Sequence, residues 1–124
     1  LAVLAEKISV DSGIIIPMID ARRMEVFTQM FSKEYSPLSV AEALIVDETA
    51  FADITEDIHL IGDGALKCKT FLRDDKFIFH EDVIYPSANE MSRISYKKYV
   101  ENTFEDVAYF EPYYLKDFML TTKK

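Results

Sequence analysis

Several things are scarce in this 124-residue chain, and each scarcity excludes something. There is no tryptophan and only one cysteine, Cys68, so no intrachain disulfide framework can form. A lone thiol fits a reducing compartment, which makes a cytoplasmic location the expectation. There are two histidines, His59 and His80, and neither stands in an H-E-x-x-H or C-x-x-C pattern, so a zinc site is not expected. Glycine occurs three times; no full G-x-G-x-x-G and no Walker lysine spacing is present. No apolar run approaches the ~20 residues that cross a bilayer. Basic residues are outnumbered, 14 against 22 acids, for a formal charge of −8. That balance disfavours tight binding of nucleic acid by this chain alone and adhesion to anionic membranes.

What is present is apolar and aromatic: 49% hydrophobic residues, with nine Phe and seven Tyr, enough for the core of one domain. The stretch Ile14 to Phe31 organises the rest. Ile14, Ile15, Ile16, Met18 and Ile19 form an apolar run of strand length. Asp20-Ala21-Arg22-Arg23 breaks it, and Met24 to Phe31 restores extended-favouring residues such as Val26, Phe27 and Thr28. Apolar side chains on both faces predict a strand covered on both sides. Pro17 has no N–H to donate, which places it at an edge, at a bulge, or where the N–H side is left unpaired. Arg22 and Arg23 at the tip read as a solvated turn or as a basic site.

The chain opens on Leu1 inside an apolar helical pattern (Leu1, Leu4, Ala5, Ile8) with no capping residue before it, which predicts residues upstream. Asp11-Ser12-Gly13 ends that helix. Beyond the hairpin, Val40 to Val46 reads as a third strand, Asp47 to about Ile54 as a short helix, and Ile58 to Ile61 as a fourth strand. Gly62-Asp63-Gly64 turns into a helix from Ala65 to about Leu72, with Leu66, Cys68, Phe71 and Leu72 toward the core. Phe77 to His80 is a fifth strand. Ser87 and Glu90 have capping-box spacing at the start of the longest predicted helix, Ser87 to Phe104. Val107 to Leu115 is aromatic and extended, and Lys123-Lys124 is a frayed tail. Three early antiparallel strands followed by β-α alternation predict an α/β ribonuclease H-like domain with a mixed sheet.

Candidate chemistry is sparse. Gly62-Asp63-Gly64, with Lys67 in reach, has the place of a phosphate cradle but reads better as a structural turn. Cys68 between Lys67 and Lys69 reads as a half-buried thiol. The acidic pairs (Asp47-Glu48, Glu56-Asp57, Asp74-Asp75, Glu81-Asp82, Glu105-Asp106) read as solvated surface. Tyr109, Phe110, Tyr113 and Tyr114 read as packing aromatics rather than a base-stacking platform. No catalytic constellation emerges.

Four segments together resemble one family. Ile19-Asp20-Ala21-Arg22 with Met24-Glu25-Val26-Phe27 is similar to the I-D-A-R-x-x-E-V-[YF] hairpin of TsaB proteins, also called YeaZ. Ile61-Gly62-Asp63-Gly64-Ala65 matches their G-[DT]-G strand end. Tyr85-Pro86-Ser87-Ala88 resembles the opening of their last long helix, and Glu111-Pro112-Tyr113-Tyr114-Leu115 their E-P-x-Y-L. The resemblance implies the actin-like ATPase superfamily, built of two ribonuclease H-like lobes. It implies a non-catalytic scaffold that binds and stabilises TsaD while, with TsaE, threonylcarbamoyl is transferred to the adenosine beside the tRNA anticodon. The partners it implies are TsaD and TsaE homologues, with tRNA met only through the complex, no membrane, and a homodimer left open. No cofactor is implied for the chain itself, though nucleotide binding by the full complex stays open. The signature residues are Asp20, Ala21, Arg22, Glu25, Gly62, Asp63, Gly64, Glu111, Pro112, Tyr114 and Leu115.

The family's glycine-rich N-terminal segment is not in these residues. The resemblance therefore assigns residues 1–9 to the end of an N-terminal-lobe helix, 10–106 to the C-terminal lobe, and 107–124 to an extended segment. An actin-like ATPase, a peptidase-like hydrolase and a self-associating interaction module are the competing functions.

Overall fold

A computed structural model describes residues 1–101. Helix α1 (Ala2–Ala5) leads through a turn to β1 (Ile14–Asp20), β2 (Glu25–Thr28) and β3 (Glu42–Ile45). Then come β4 (Ile58–Ile61), a 3-10 turn over Leu66–Thr70, β5 (Phe77–Phe79) and α2 (Ala88–Val100). The five strands form one sheet in the order β3-β2-β1-β4-β5. β1 pairs antiparallel with β2, and β2 with β3; β4 lies parallel to β1, and β5 parallel to β4. This is the ribonuclease H-like α/β arrangement: three early antiparallel strands continued by parallel ones.

β1 is central and buried on both faces, as its uninterrupted apolar run requires. Ile14, Ile16 and Met18 face one core with Val26, Ile58, Leu60, Cys68 and Leu72. Ile15 faces the other, with Leu4, Ala5, Ile8, Phe31, Ile61 and Val83. Pro17 is therefore not at an edge. Its missing N–H coincides with a break in the β1–β2 ladder, between the Ile15–Phe31 bridge and the Met18–Thr28 pair. There the Thr28 hydroxyl donates to the Pro17 carbonyl at 2.8 Å. Of the three placements the sequence allows, the unpaired N–H side is the one adopted.

Six segments depart from their sequence-based reading. Residues 48–53 form successive turns rather than a helix. Phe51 has a left-handed φ of 62°, which interrupts helical hydrogen bonding. Asp47 accepts from the Thr49 N–H at 2.9 Å and the Thr49 hydroxyl at 2.7 Å, a local turn rather than a helix cap. Lys76 then closes the segment, its Nζ donating to the carbonyls of Phe51 and Ile54 at 2.8 and 2.7 Å. The expected helix from Ala65 shrinks to a single 3-10 stretch, and Leu66 is exposed rather than facing the core.

α1 is shorter than the pattern from Leu1 to Ser9, and β2 and β3 are shorter than their apolar runs. α2 starts after Ser87, whose hydroxyl bonds the Glu90 carboxylate instead of a backbone N–H. Despite its apolar spacing, α2 has no buried residue: Met91 and Tyr96 stand more than half exposed. The end of that predicted helix, the Val107–Leu115 segment and the terminal lysines lie outside the described residues. Among the described residues no helix is long and apolar enough to cross a membrane.

The turn after β4 depends on Gly62. Its φ is +104°, and a Cβ there would lie 2.2 Å from the Met18 carbonyl oxygen. Replacing Gly62 with Ala is expected to lower the unfolding free energy by about 1–3 kcal/mol or more, from strain plus clash, read by chemical denaturation.

Candidate functional site

The carboxyl ends of β1 and β4 bring the hairpin tip and the Gly62-Asp63-Gly64 turn together. The Met18 carbonyl accepts from the Gly64 N–H at 3.0 Å, extending the parallel pairing into the turn. A Cβ on Gly64 would come within 3.0 Å of the Asp20 nitrogen and of Val26 Cγ1, so only glycine lets the two segments approach this closely. Asp63 uses that proximity: its Oδ1 accepts from the Asp20 N–H at 2.9 Å.

The tip is closed from within. Asp20 Oδ1 accepts from the Arg22 N–H at 2.9 Å, an Asx turn. The Ala21 N–H donates to the Glu25 carbonyl, and the Glu25 N–H to the Arg22 carbonyl, both at 3.1 Å. Lys67 straps the tip to the 3-10 turn. Its Nζ donates to Asp20 Oδ1 and, at 2.8 Å, to the Glu25 carbonyl. The Lys67 ammonium, helped by the Arg22 N–H, holds the Asp20 carboxyl below the usual carboxylate range. Asp20 is thus a committed anion, not a general base in waiting.

Asp20, Ala21, Arg22, Glu25, Gly62, Asp63 and Gly64 all meet in this one cluster. Glu111, Pro112, Tyr114 and Leu115 lie outside the described residues. Lys67, a phosphate-reaching candidate in sequence, reads there with its turn as structural; its bond to Asp20 is not anticipated. Its position three residues after Gly64 was visible, but its partner is the aspartate across the sheet end.

Arg22 and Arg23 have φ of 77° and 51°, a left-handed backbone that costs a non-glycine residue roughly 1–2 kcal/mol each. Both side chains are exposed, and neither guanidinium has a hydrogen bond or ion pair among the described residues. Such groups recognise carboxylates or phosphates through two parallel N–H donors; they do not perform acid–base chemistry.

The other candidates take ordinary positions. Cys68 is fully buried, burial pushes its thiol pKa up, and its Sγ lies 3.4 Å from the Gly64 carbonyl oxygen. The acidic pairs within the described residues are exposed. The two histidines, remote in sequence, meet: His59 Nδ1 is 2.9 Å from His80 Nε2. The parallel β4–β5 register, which pairs His59 with Ile78, brings His80 alongside. Among the described residues no group of three or more His, Cys, Asp or Glu side chains could hold a metal ion. A groove of about 440 Å³ lies elsewhere, between α1 and α2, lined in part by Glu6, Phe31 and Arg93.

No family model matches this sequence, and no curated protein matches it. The fold does have a solved counterpart. It is similar to the crystal structure of a Pseudomonas aeruginosa protein described as uncharacterized with similarity to peptidase YeaZ, with a TM-score of 0.72 and 16% sequence identity. The likeness covers 94% of this chain and 56% of that one, so the chain spans little more than half of its structural neighbour. At that identity the comparison establishes a shared fold.

Two outcomes follow from the cluster. Arg23→Gly relieves left-handed strain and is expected to raise stability by about 1 kcal/mol in urea unfolding. Lys67→Met is expected to destabilise the chain at neutral pH. A depressed carboxyl pKa contributes stability above its ordinary value of 3.8 and loses it as the pH falls through the folded value. The gap between wild type and Lys67→Met should therefore narrow as acid unfolding is followed below that pH.

Proposed function

We propose that this chain is the ribonuclease H-like lobe of a TsaB-type accessory subunit. Its role is to bind and stabilise a TsaD-type catalyst in the transfer of threonylcarbamoyl to the adenosine beside the tRNA anticodon, with a TsaE homologue as third component. The observation that carries this reading is the likeness of fold to a YeaZ-like protein across nearly the whole chain. The signature segments support it from a second side: the Asp20-Ala21-Arg22 hairpin and the Gly62-Asp63-Gly64 turn interlock through Asp63, Lys67 and two glycine approaches.

The chemistry of the cluster favours a scaffold over a hydrolase. Its Asp20 carboxylate is tied to a lysine, Asp63 accepts from the Asp20 N–H, the nearby thiol is buried, and the tip exposes two arginines suited to recognition. With a formal charge of −8, the chain meets tRNA through its partners, and the arginine tip serves protein carboxylates rather than a phosphate backbone.

The test is reconstitution. Full-length protein, TsaD and TsaE homologues, threonine, bicarbonate, ATP and unmodified tRNA are combined, and the modified adenosine is measured by mass spectrometry. Modification should depend on the full-length protein, which should co-purify with the TsaD homologue. Equal modification in its absence rejects the scaffold role. Tight binding of Mg-ATP to the full-length protein alone, by calorimetry, would instead favour an actin-like ATPase.

A further inference from the structure

The two edges of the sheet are finished differently. At β5, lysines lie over both phenylalanines: Lys76 Nζ is 5.3 Å from the Phe77 ring centre, and Lys69 Nζ is 5.4 Å from that of Phe79. Lysine is a usual guard against pairing at an edge strand. β3, at the opposite edge, has no such cover. From Val40 to Val46 there is no lysine, arginine, proline or glycine, and the one charge is Glu42.

The backbone of that edge is open as well. The Val46 N–H donates to the Met24 carbonyl at 2.9 Å, and the β2–β3 register pairs Val26 with Leu44 and Thr28 with Glu42. Antiparallel bonding alternates, so Val46, Leu44 and Glu42 turn their N–H and C=O groups toward β2. Ala43 and Ile45 turn theirs away, where no hydrogen bond among the described residues meets them. Such a row is a template for another strand. The side chains agree. Ile45 is 70% exposed, and just before the strand Leu38 and Val40 are 54% and 79% exposed. Beside them runs a shallow groove of about 610 Å³, lined in part by Pro37, Leu38, Val40 and Ala41.

We propose that this edge pairs with the same edge of a second copy, β3 antiparallel to β3 about a two-fold axis, joining two five-stranded sheets into one. The strand fits itself in the register centred on Leu44. Ala43 then exchanges both of its outward backbone bonds with Ile45 of the second copy, and Ile45 with Ala43. Leu44 meets Leu44, and both Ile45 side chains leave water. Glu42 lies opposite Val46, so the two glutamates stand at opposite ends of the pairing. Centring on Ala43 instead would set them diagonally on one face, where like charges repel. Past Ile45 the second copy's chain runs toward the groove at Pro37 to Ala41, which gives the exposed Leu38 and Val40 a neighbour.

One strand pair buries less than the ~1,200 Å² at the low end of stable interfaces. Each copy also carries a formal charge of −8, which opposes association. The pair is therefore reversible, with a Kd on the order of 0.1 mM, and added salt tightens it. None of its contacts uses the Asp20–Lys67 cluster, so it stands apart from the scaffold reading.

Sedimentation equilibrium and amide hydrogen exchange on the whole chain, from about 10 µM to about 1 mM, test this. The mean mass should rise from that of one chain toward that of two, and more so in NaCl. The Ala43 and Ile45 amides should exchange roughly fourfold more slowly in the concentrated sample, as the free chain falls to about a fifth of the total. The Leu44 amide, already bonded to β2, should be slow throughout. Ala43→Pro removes an outward donor and keeps the bonds to β2, so that variant should stay a single chain. Ile45→Lys supplies the missing guard and should weaken the pair by at least about tenfold. The mass of one chain across the whole range overturns the proposal. So does protection that rises with concentration elsewhere but not at Ala43 and Ile45, and so does a dimer undiminished in Ala43→Pro. Should that variant fail to fold, undiminished association in Ile45→Lys overturns it instead.

Discussion

The parallel pairing of β1 with β4 is the constraint on which the rest of the structure depends. It runs from Ile14–Ile58 to Pro17–Ile61, buries both strands, and continues past their ends through the Gly64 N–H to the Met18 carbonyl. Because β1 is covered on both faces, one strand organises two cores at once. The same register sets both clusters of polar side chains. At the carboxyl ends it delivers Asp20 to Asp63 and Lys67; near the amino ends it places His59 against the Ser12 carbonyl.

The two ends differ in their chemistry. At the carboxyl end the groups are fully committed: a carboxylate bound by an ammonium and an amide stays ionised across ordinary pH. At the other end the groups are two imidazoles, His59 Nδ1 lying 2.9 Å from His80 Nε2 and His59 Nε2 3.0 Å from the Ser12 carbonyl oxygen. The first arrangement holds a hairpin tip rigid enough to present two exposed arginines. The second links β4, the end of β5 and the turn before β1.

Much of the architecture was legible in the residues because it rests on local pattern. The doubly apolar run of Ile14 to Ile19, the turn at Asp20, the glycine pair around Asp63 and the order of five strands all announce themselves by composition and period. What escaped depends on contacts between segments. The turns at 48–53 carry helix-compatible residues, but Phe51 adopts a left-handed backbone and Lys76, more than twenty positions on, ties the carbonyls. The helix expected after Gly64 is a 3-10 stretch over Leu66–Thr70, whose Lys67 reaches across to the hairpin. The apolar spacing of α2 looked like a buried face, yet the described structure leaves Met91 and Tyr96 exposed. The histidine pair was invisible because nothing local says which strands lie side by side.

Pro17 in the central strand acts as a register lock. A slip of two residues between β1 and β2 is the least costly pairing error, because it keeps every side chain on its own face. In the native register the ring nitrogen meets the place where the ladder is already open, beside the Thr28 hydroxyl. Slipped toward Phe31, it would stand against a carbonyl that now receives the Ile15 N–H at 2.8 Å, and that acceptor would lose its donor inside the core. A residue that weakens one hydrogen-bonding position thus makes that neighbouring alignment worse than the native one, in the strand that organises both cores.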